Sequence, residues 1–207
     1  MITTNLPNLL TLSRIVAIPV VCLLLLLDKP WGSWLALGAF VVACVTDFFD
    51  GYLARTWQQV SNFGRFLDPI ADKLLVVSVL LMLVGIDRLA GIHILPAAVI
   101  LCREILVSGL REHLAEVRVG VPVSRLAKWK TAIQMVALGF LLVGEDGPMF
   151  GPVTTTEIGV AGIWAAALLT LITGYDYLRT GLGHMAGNDD AESRPASEPA
   201  KSAEDVG

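Results

Sequence analysis

Residues 47–73 read DFFDGYLARTWQQVSNFGRFLDPIADK. Asp47, Asp50, Asp68 and Asp72 fall within 26 residues, at the ends of two apolar runs. One carboxylate at the centre of a membrane helix costs about 2.5–3.5 kcal/mol on insertion scales, so four of them require a compensating partner. Asp47 and Asp50 are three apart and Asp68 and Asp72 four apart, so each pair shares one face of a helix. Gly51 and Ala54 continue the first face, and Gly64 lies one turn before Asp68 on the second. Two helices joined by a short loop are expected to pack antiparallel, which brings the two carboxylate faces together. Left alone, the acids would repel and some would take up protons. A hard divalent cation resolves this, and oxygen ligands suit Mg²⁺ or Mn²⁺. Mg²⁺ is held by few carboxylates and completes its shell with phosphate oxygens, so a diphosphate substrate fits the pattern. The small residues Gly51, Ala54 and Gly64 suit either close helix packing, as in membranes, or space for a nucleotide beside the metals.

Outward from this segment, apolar residues come in long runs rather than in the single stripe of a soluble helix. The chain has 207 residues, 55% hydrophobic and 16% charged, where soluble domains carry about a quarter charged. Its mean hydropathy is +0.68. These values exclude an ordinary soluble domain and predict an all-α membrane protein. Leu9–Leu27 is long enough to span a bilayer. It has no basic segment before it and no small-x-small cleavage site after it, so a retained helix is expected rather than a signal peptide.

Six spans are expected: Leu6–Leu27, Ser33–Arg55, Gly64–Gly85, Ile92–His113, Leu126–Val143 and Glu157–Tyr177. The loops Asp28–Gly32, Val84–Gly91 and Gly144–Glu157 hold only Lys29 and Arg88 as basic residues. The opposite side holds Arg14, Arg55, Arg65, Lys73, Arg103, Arg111, Arg118, Arg125, Lys128, Lys130 and Arg179. The bias of basic residues places that second side in the cytoplasm, with both termini. From about Ala186 the composition turns polar and is too poor in apolar residues to fold alone. The expected organisation is a six-helix transmembrane domain over residues 1–185 and a disordered cytoplasmic tail over residues 186–207.

The pattern Asp47-x-x-Asp50-Gly51-x-x-Ala54-Arg55, eight further residues, then Gly64-x-x-x-Asp68-x-x-x-Asp72 resembles the full signature of the CDP-alcohol phosphotransferases. The resemblance implies a bundle of six transmembrane helices in a bacterial inner membrane with a cytoplasm-facing site, a CDP-linked donor and two divalent cations. It implies that Asp47, Asp50 and Asp68 bind metal, and that Asp72 joins the second metal and serves as the base. Asp47, Gly51, Ala54, Arg55 and Gly64 would line the CDP site. Asn8 and Thr11, three apart near the start of the first span, either open that helix in the ordinary way or touch the donor diphosphate. Direct transfer is expected, because no Ser, Cys or His stands out as a covalent nucleophile.

Arg103 lies inside an apolar run, where a lone charge is expensive. Its compensating partner is either a carboxylate, Glu104 or Glu112, or an anionic acceptor. An acceptor phosphate would need two or three cations, which Arg forks and Lys point charges both supply. The segments Asn5–Arg14, Asp47–Lys73, Arg103–Glu112 and Lys128–Val136 are most similar to the bacterial branch of the family that uses CDP-diacylglycerol and sn-glycerol 3-phosphate. On that resemblance Arg103, Arg111 and Lys128 are expected to hold the acceptor phosphate. Lys130 lies about 200° round the helix from Lys128, so the two cannot face one pocket. A homodimer is implied by the resemblance alone, and no nucleic-acid partner is expected. Inositol phosphate, serine or phosphatidylglycerol as acceptor would leave the chemistry unchanged. An ion transporter would also use intramembrane acids, but the acids here gather at one edge without inverted, broken helices.

Cys22, Cys44 and Cys102 lie far apart in apolar runs and suggest neither disulfide nor metal pairs. His93, His113 and His184 lack metal spacing. Trp31, Trp34, Trp57, Trp129 and Trp164 fall mostly near expected interfaces, where aromatic belts anchor.

Overall fold

A computed structural model describes residues 6–27, 30–57, 62–116 and 125–192. Within these helices, the side chains of residues 6–11, 47–57, 62–69, 72, 113, 115–116, 125, 176 and 180–192 lie outside the description. The described chain forms α1 (Leu6–Leu25), α2 (Pro30–Trp57), α3 (Asn62–Gly85), α4 (Ile94–Glu116), α5 (Arg125–Val143) and α6 (Thr155–Glu192). Short 3₁₀ turns, Gly91–His93 and Gly144–Asp146, precede α4 and follow α5.

Local chemistry explains several of these boundaries. Pro30 occupies the first position of α2, where its missing N–H costs nothing and its fixed φ suits a helix. Thr154 and Glu157 form a capping box at the start of α6. The Glu157 backbone N–H donates to Thr154 Oγ1 (3.2 Å), and the Thr154 N–H donates to Glu157 Oε2 (2.7 Å). Two orphan donors are thereby satisfied reciprocally. The last helix continues to Glu192, past the apolar run, which ends near Tyr177.

The helices fall into two groups of three. α1 packs on both α2 and α3, α6 packs on both α4 and α5, and α2 against α5 is the main joint between the groups. Buried apolar residues recur every three or four positions: Ala36, Phe40 and Ala43 on α2, Leu75, Val79 and Leu83 on α3, Leu138, Leu141 and Leu142 on α5. They join one continuous core. Close approach of α5 and α6 depends on glycine. A Cβ at Gly162 would lie 2.7 Å from Ala137 Cβ, and one at Gly159 would lie 2.7 Å from Leu141 Cγ. Small residues at such crossings let backbones approach in membranes, where the hydrophobic effect drives no association.

The outside of the bundle is apolar as well. Leu23 (64% exposed), Val42 (65%), Leu81 (66%) and Ile105 (66%) all point outward. Soluble monomers rarely expose contiguous apolar patches beyond a few hundred Å². Gly91–Glu112, Leu126–Asp146 and Thr155–Arg179 are long and apolar enough to cross a membrane. Among the described residues the apolar stretches Leu12–Leu25, Pro30–Thr46 and Lys73–Gly85 are shorter. Among the described residues, three helices therefore meet the length and composition of a span, where six were expected. Cys22, Cys44 and Cys102 are free. Trp31, Trp34 and Trp129 are exposed, and Trp164 Nε1 donates to His93 Nδ1 at 3.2 Å.

One end of the bundle is tied by Arg88. Its guanidinium donates to the Leu142 carbonyl, to Leu141 O at 3.3 Å and to Ser33 Oγ at 2.6 Å, and it pairs with Asp146 at 3.3 Å. Leu141 and Leu142 carry two of the orphan carbonyls at the end of α5, where a cation also complements the helix dipole. Gly144 makes room for this. It sits at φ +58, and a Cβ there would lie 3.1 Å from the guanidinium carbon. Arg88→Ala is expected to lower stability by about 1–2 kcal/mol, the lower part of the range for partners left unpaired, because the network is half-buried. Thermal unfolding in detergent would register this as a lower Tm. An unchanged Tm would mean that the start of α2, the α3–α4 connection and the end of α5 hold together without it.

Candidate active site

The tight turn between α1 and α2 fixes which ends of the helices lie together. A Cβ at Gly32 would lie 2.8 Å from Leu24 O and 2.9 Å from Leu27 O, so α2 runs back along α1. Contacts between Gly162 and Ala137 and between Gly159 and Leu141 make α6 antiparallel to α5. Pairing of His93 with Trp164 and of Arg103 with Thr173 makes α6 parallel to α4. The start of α1, end of α2, start of α3, end of α4 and start of α5 therefore share the bundle end away from Arg88. The site residues expected from sequence are carried on those segments, except Arg103, which lies near the middle of α4.

Asn8 and Thr11 are carried on α1, Asp47, Asp50, Gly51, Ala54 and Arg55 on α2, and Gly64, Asp68 and Asp72 on α3. The backbone is helical through all of them, so the spacings of three and four give each aspartate pair one helix face. Their side chains lie outside the described residues. Among the described residues no group of three or more His, Cys, Asp or Glu could hold a metal ion. The donor chemistry of the four aspartates, all hard oxygen, fits a divalent cation of the Mg²⁺ or Mn²⁺ kind.

The basic half of the site is described directly. Arg103 Nη1 lies 3.5 Å from Glu104 Oε1, and Nη2 lies 3.4 Å from Thr173 Oγ1 on α6. Glu104, not the exposed Glu112, is the carboxylate beside Arg103. α6 comes close enough for this because residue 174 is glycine: a Cβ there would lie 3.1 Å from Arg103 Cγ. Arg111, two turns further on, is exposed, with its guanidinium carbon 5.7 Å from the centroid of the Tyr177 ring and Nε 3.4 Å from the Tyr177 hydroxyl. The two lysines of α5 part company. Lys128 is exposed, while Lys130 is 3% exposed and hydrogen-bonds to Glu104 Oε1.

Three further residues escaped the sequence reading as site candidates. Lys73, adjacent to Asp72, hydrogen-bonds to Ser108 on α4, which ties the acidic helix α3 to the basic helix between Arg103 and Arg111. Ser108 is four residues after Glu104 and three before Arg111, so its helix face was legible, but its partner was not. Arg14 was counted only as a cytoplasmic-side cation, yet it is 1% exposed on α1. A buried arginine one turn from Thr11 has the environment of an internal charge rather than of a surface anchor.

The family model described as CDP-alcohol phosphatidyltransferase matches residues 4–172. A protein of Rickettsia bellii (strain RML369-C) is 49% identical over 178 residues, covering 86% of this chain and 96% of its own. One of Cereibacter sphaeroides is 42% identical over 214 residues, covering 87% and 97%. One of Shigella flexneri is 43% identical over 176 residues, covering 84% and 93%. All three are named CDP-diacylglycerol–glycerol-3-phosphate 3-phosphatidyltransferase. The aspartate signature on α2 and α3, the helical bundle that carries it and the match over residues 4–172 agree, and the chain belongs to the CDP-alcohol phosphatidyltransferase family.

Proposed function

We propose that this protein transfers the phosphatidyl group of CDP-diacylglycerol to sn-glycerol 3-phosphate, giving phosphatidylglycerophosphate and CMP. The observation that carries the reading is 42–50% identity, over most of the chain, to proteins named for that reaction. The basic group on α4, Arg103 and Arg111, supports an acceptor that carries a phosphate. A phosphate is the acceptor group that guanidinium forks are best suited to hold.

Dependence on divalent metal is general in the family. Asp47, Asp50, Asp68 and Asp72 would hold two ions, Mg²⁺ or Mn²⁺, which when bound neutralise charge on the diphosphate and on departing CMP. The chain's own groups do the rest. Gly51, Ala54, Arg55 and Gly64, with Asn8 and Thr11, bind the CDP moiety. Arg103 and Arg111 orient the acceptor through its phosphate, which converts an encounter into a positioned attack. Asp72 takes the proton from an acceptor hydroxyl. That oxygen forms a bond to the lipid-side phosphorus as the bond from this phosphorus to the CMP oxygen breaks. No covalent enzyme intermediate is involved.

The same reading orients the protein in a bacterial inner membrane with six spans and both termini in the cytoplasm. Residues 1–185 form the catalytic unit, residues 186–207 a polar tail, and the working form is a homodimer. The crowding of basic residues at the bundle end that carries the aspartates supports the orientation, and the homodimer rests on the family resemblance alone.

Product identification tests the function directly. Purified protein is incubated with CDP-diacylglycerol, Mg²⁺ and, separately, sn-glycerol 3-phosphate, inositol phosphate, serine or phosphatidylglycerol. Phosphatidylglycerophosphate and CMP are expected in equal amounts with the first acceptor. Turnover confined to another alcohol would refute the acceptor assignment. Arg111→Ala is expected to raise KM for sn-glycerol 3-phosphate about tenfold or more, the loss for a charged hydrogen bond, with a smaller change for CDP-diacylglycerol. The reverse ratio would move Arg111 to the donor site.

A further inference from the structure

Among the described residues of α1, those buried are Arg14, Val21 and Leu25. They are seven and four apart, so a cation opens the face that continues as core. A guanidinium cannot shed its charge inside a protein, and a buried charge is costly unless it is paired. α1 packs on α2 and α3, and the carboxylates of those two helices are Asp47, Asp50, Asp68 and Asp72. We propose that Arg14 is the resident counter-cation of the aspartate cluster. It pairs with Asp47 of α2 and Asp72 of α3 and keeps the two acidic helix ends together before metal binds, an assignment that rests on the reading of these aspartates as metal ligands.

Helix register selects the pair. On α2 the buried residues Ala36, Phe40 and Ala43 recur every three or four positions, and the same row next reaches Asp47. On α3 the buried row Leu83, Leu80 and Val76 next reaches Asp72. The heights agree as well. Gly32 lies against the Leu24 and Leu27 carbonyls, so counting back along these antiparallel helices puts Arg14 level with about Ala43, one turn short of Asp47. Leu25, Leu26 and Ile86 line one pocket at the Arg88 end. Counting back along the parallel helix α3 then puts Arg14 level with about Leu74, two residues past Asp72. Cα–Cβ bonds tilt toward the start of a helix, so a long side chain covers the turn before its own Cα. α1 starts at the aspartate end, and Arg14 therefore leans toward Asp47 and Asp72.

The role follows from charge. Four carboxylates converging without metal repel one another. One guanidinium, with donors on three nitrogens, can bond to oxygens from two helices at once. Helix backbones fix the spacing of the acids, and Arg14 contributes the charge that lets α2 and α3 close on each other. The same charge opposes the entry of a further cation. Removing it has two opposite consequences: the metal-free bundle weakens, and metal binding tightens. Arg14 acts through the aspartates, as a positioning residue.

Equilibrium Mn²⁺ binding and thermal unfolding of the full-length protein in detergent, without substrates, test this. Arg14→Met is expected to lower Tm by about 5 °C or more in metal-free buffer, and saturating Mn²⁺ to restore most of that loss. Its Mn²⁺ dissociation constant is expected to fall at least about threefold, because no neighbouring cation opposes the metal. Arg14→Lys keeps the charge and is expected to bind Mn²⁺ within about twofold of wild type. In the background of Asp47→Asn or of Asp72→Asn, Arg14→Met is expected to cost less Tm than it does alone, since members of a pair couple. If Arg14→Met does not fold, combining it with Asp47→Asn and Asp72→Asn is expected to restore folding, and failure of that triple variant overturns the proposal. Equal losses of Tm with and without Mn²⁺, or Mn²⁺ binding that is unchanged or weaker, would make Arg14 a packing residue and also overturn it. Wild-type Mn²⁺ binding alongside such a result leaves the metal reading of the aspartates standing. A wild-type protein that binds no Mn²⁺ removes both.

Discussion

Asp72→Asn is expected to lower kcat by about 10²–10⁴-fold, the usual worth of a positioned general base. The affinity for CDP-diacylglycerol is expected to stay within about threefold of wild type, because the lost interaction belongs to the transition state. Asn keeps the size and hydrogen-bonding reach of Asp but cannot accept the acceptor proton. The acceptor hydroxyl would then attack without a base, and CMP release would fall with it. Separate determination of donor binding and of CMP release in single turnover distinguishes this from misfolding. Normal turnover by Asp72→Asn would remove this residue as the base. Equal loss of binding and turnover would reassign it to metal alone.

Asp68→Asn, and likewise Asp50→Asn, has the second large effect: the Mg²⁺ concentration for half-maximal activity is expected to rise at least about tenfold. Groups that only orient a metal ligand already cost 10–100-fold in affinity or activity when replaced. A ligand carboxylate contributes charge as well as geometry, and the amide that replaces it is neutral. Maximal activity at saturating Mg²⁺ should also fall, since the donor diphosphate would no longer be held at full charge compensation. A metal titration curve superimposable on that of wild type would count against the assignment of either residue.

The helices were legible because a bilayer leaves the backbone few alternatives. In hydrocarbon every N–H and C=O must be satisfied within the segment, so a long apolar run becomes a helix. The expected start of the first span, Leu6, and the expected ends of the third and fifth, Gly85 and Val143, coincide with the helix limits. The sixth was expected to end at Tyr177, where apolarity ends, but α6 continues to Glu192. Helix formation needs no apolar face once a stable helix is available to extend.

Polar side chains were legible only in part. The aspartates announced themselves because they break apolar runs at helical spacing. Arg103 did so for the same reason, and its neighbour Glu104 was one of two carboxylates offered as its partner. The lysines of α5 were harder. Helix geometry separated Lys128 from Lys130, but which of them faces α4 depends on how α5 is rotated in the bundle, a tertiary fact with no local signature. The depth of Lys130 was hinted at by Gln134, a second polar residue one turn further along the same face. Arg88 was read only as a rare basic residue in a short loop. Its work at the end of α5 depends on Gly144 adopting a positive φ, and on Ser33 and Asp146 arriving from the start of α2 and the turn after α5. The link from Lys73 to Ser108 likewise joins two helices whose contact no sequence pattern encodes.

The proposed mechanism requires Asp47, Asp50, Asp68 and Asp72 to meet around shared cations where α2 ends and α3 begins. Anomalous diffraction from crystals of the enzyme with Mn²⁺ and CDP-diacylglycerol measures this directly. Two manganese peaks are predicted, each within coordination distance of carboxylate oxygens from both helices and of the donor diphosphate. Peaks bound elsewhere, or four carboxylates turned to separate surroundings with no common ion, would contradict it.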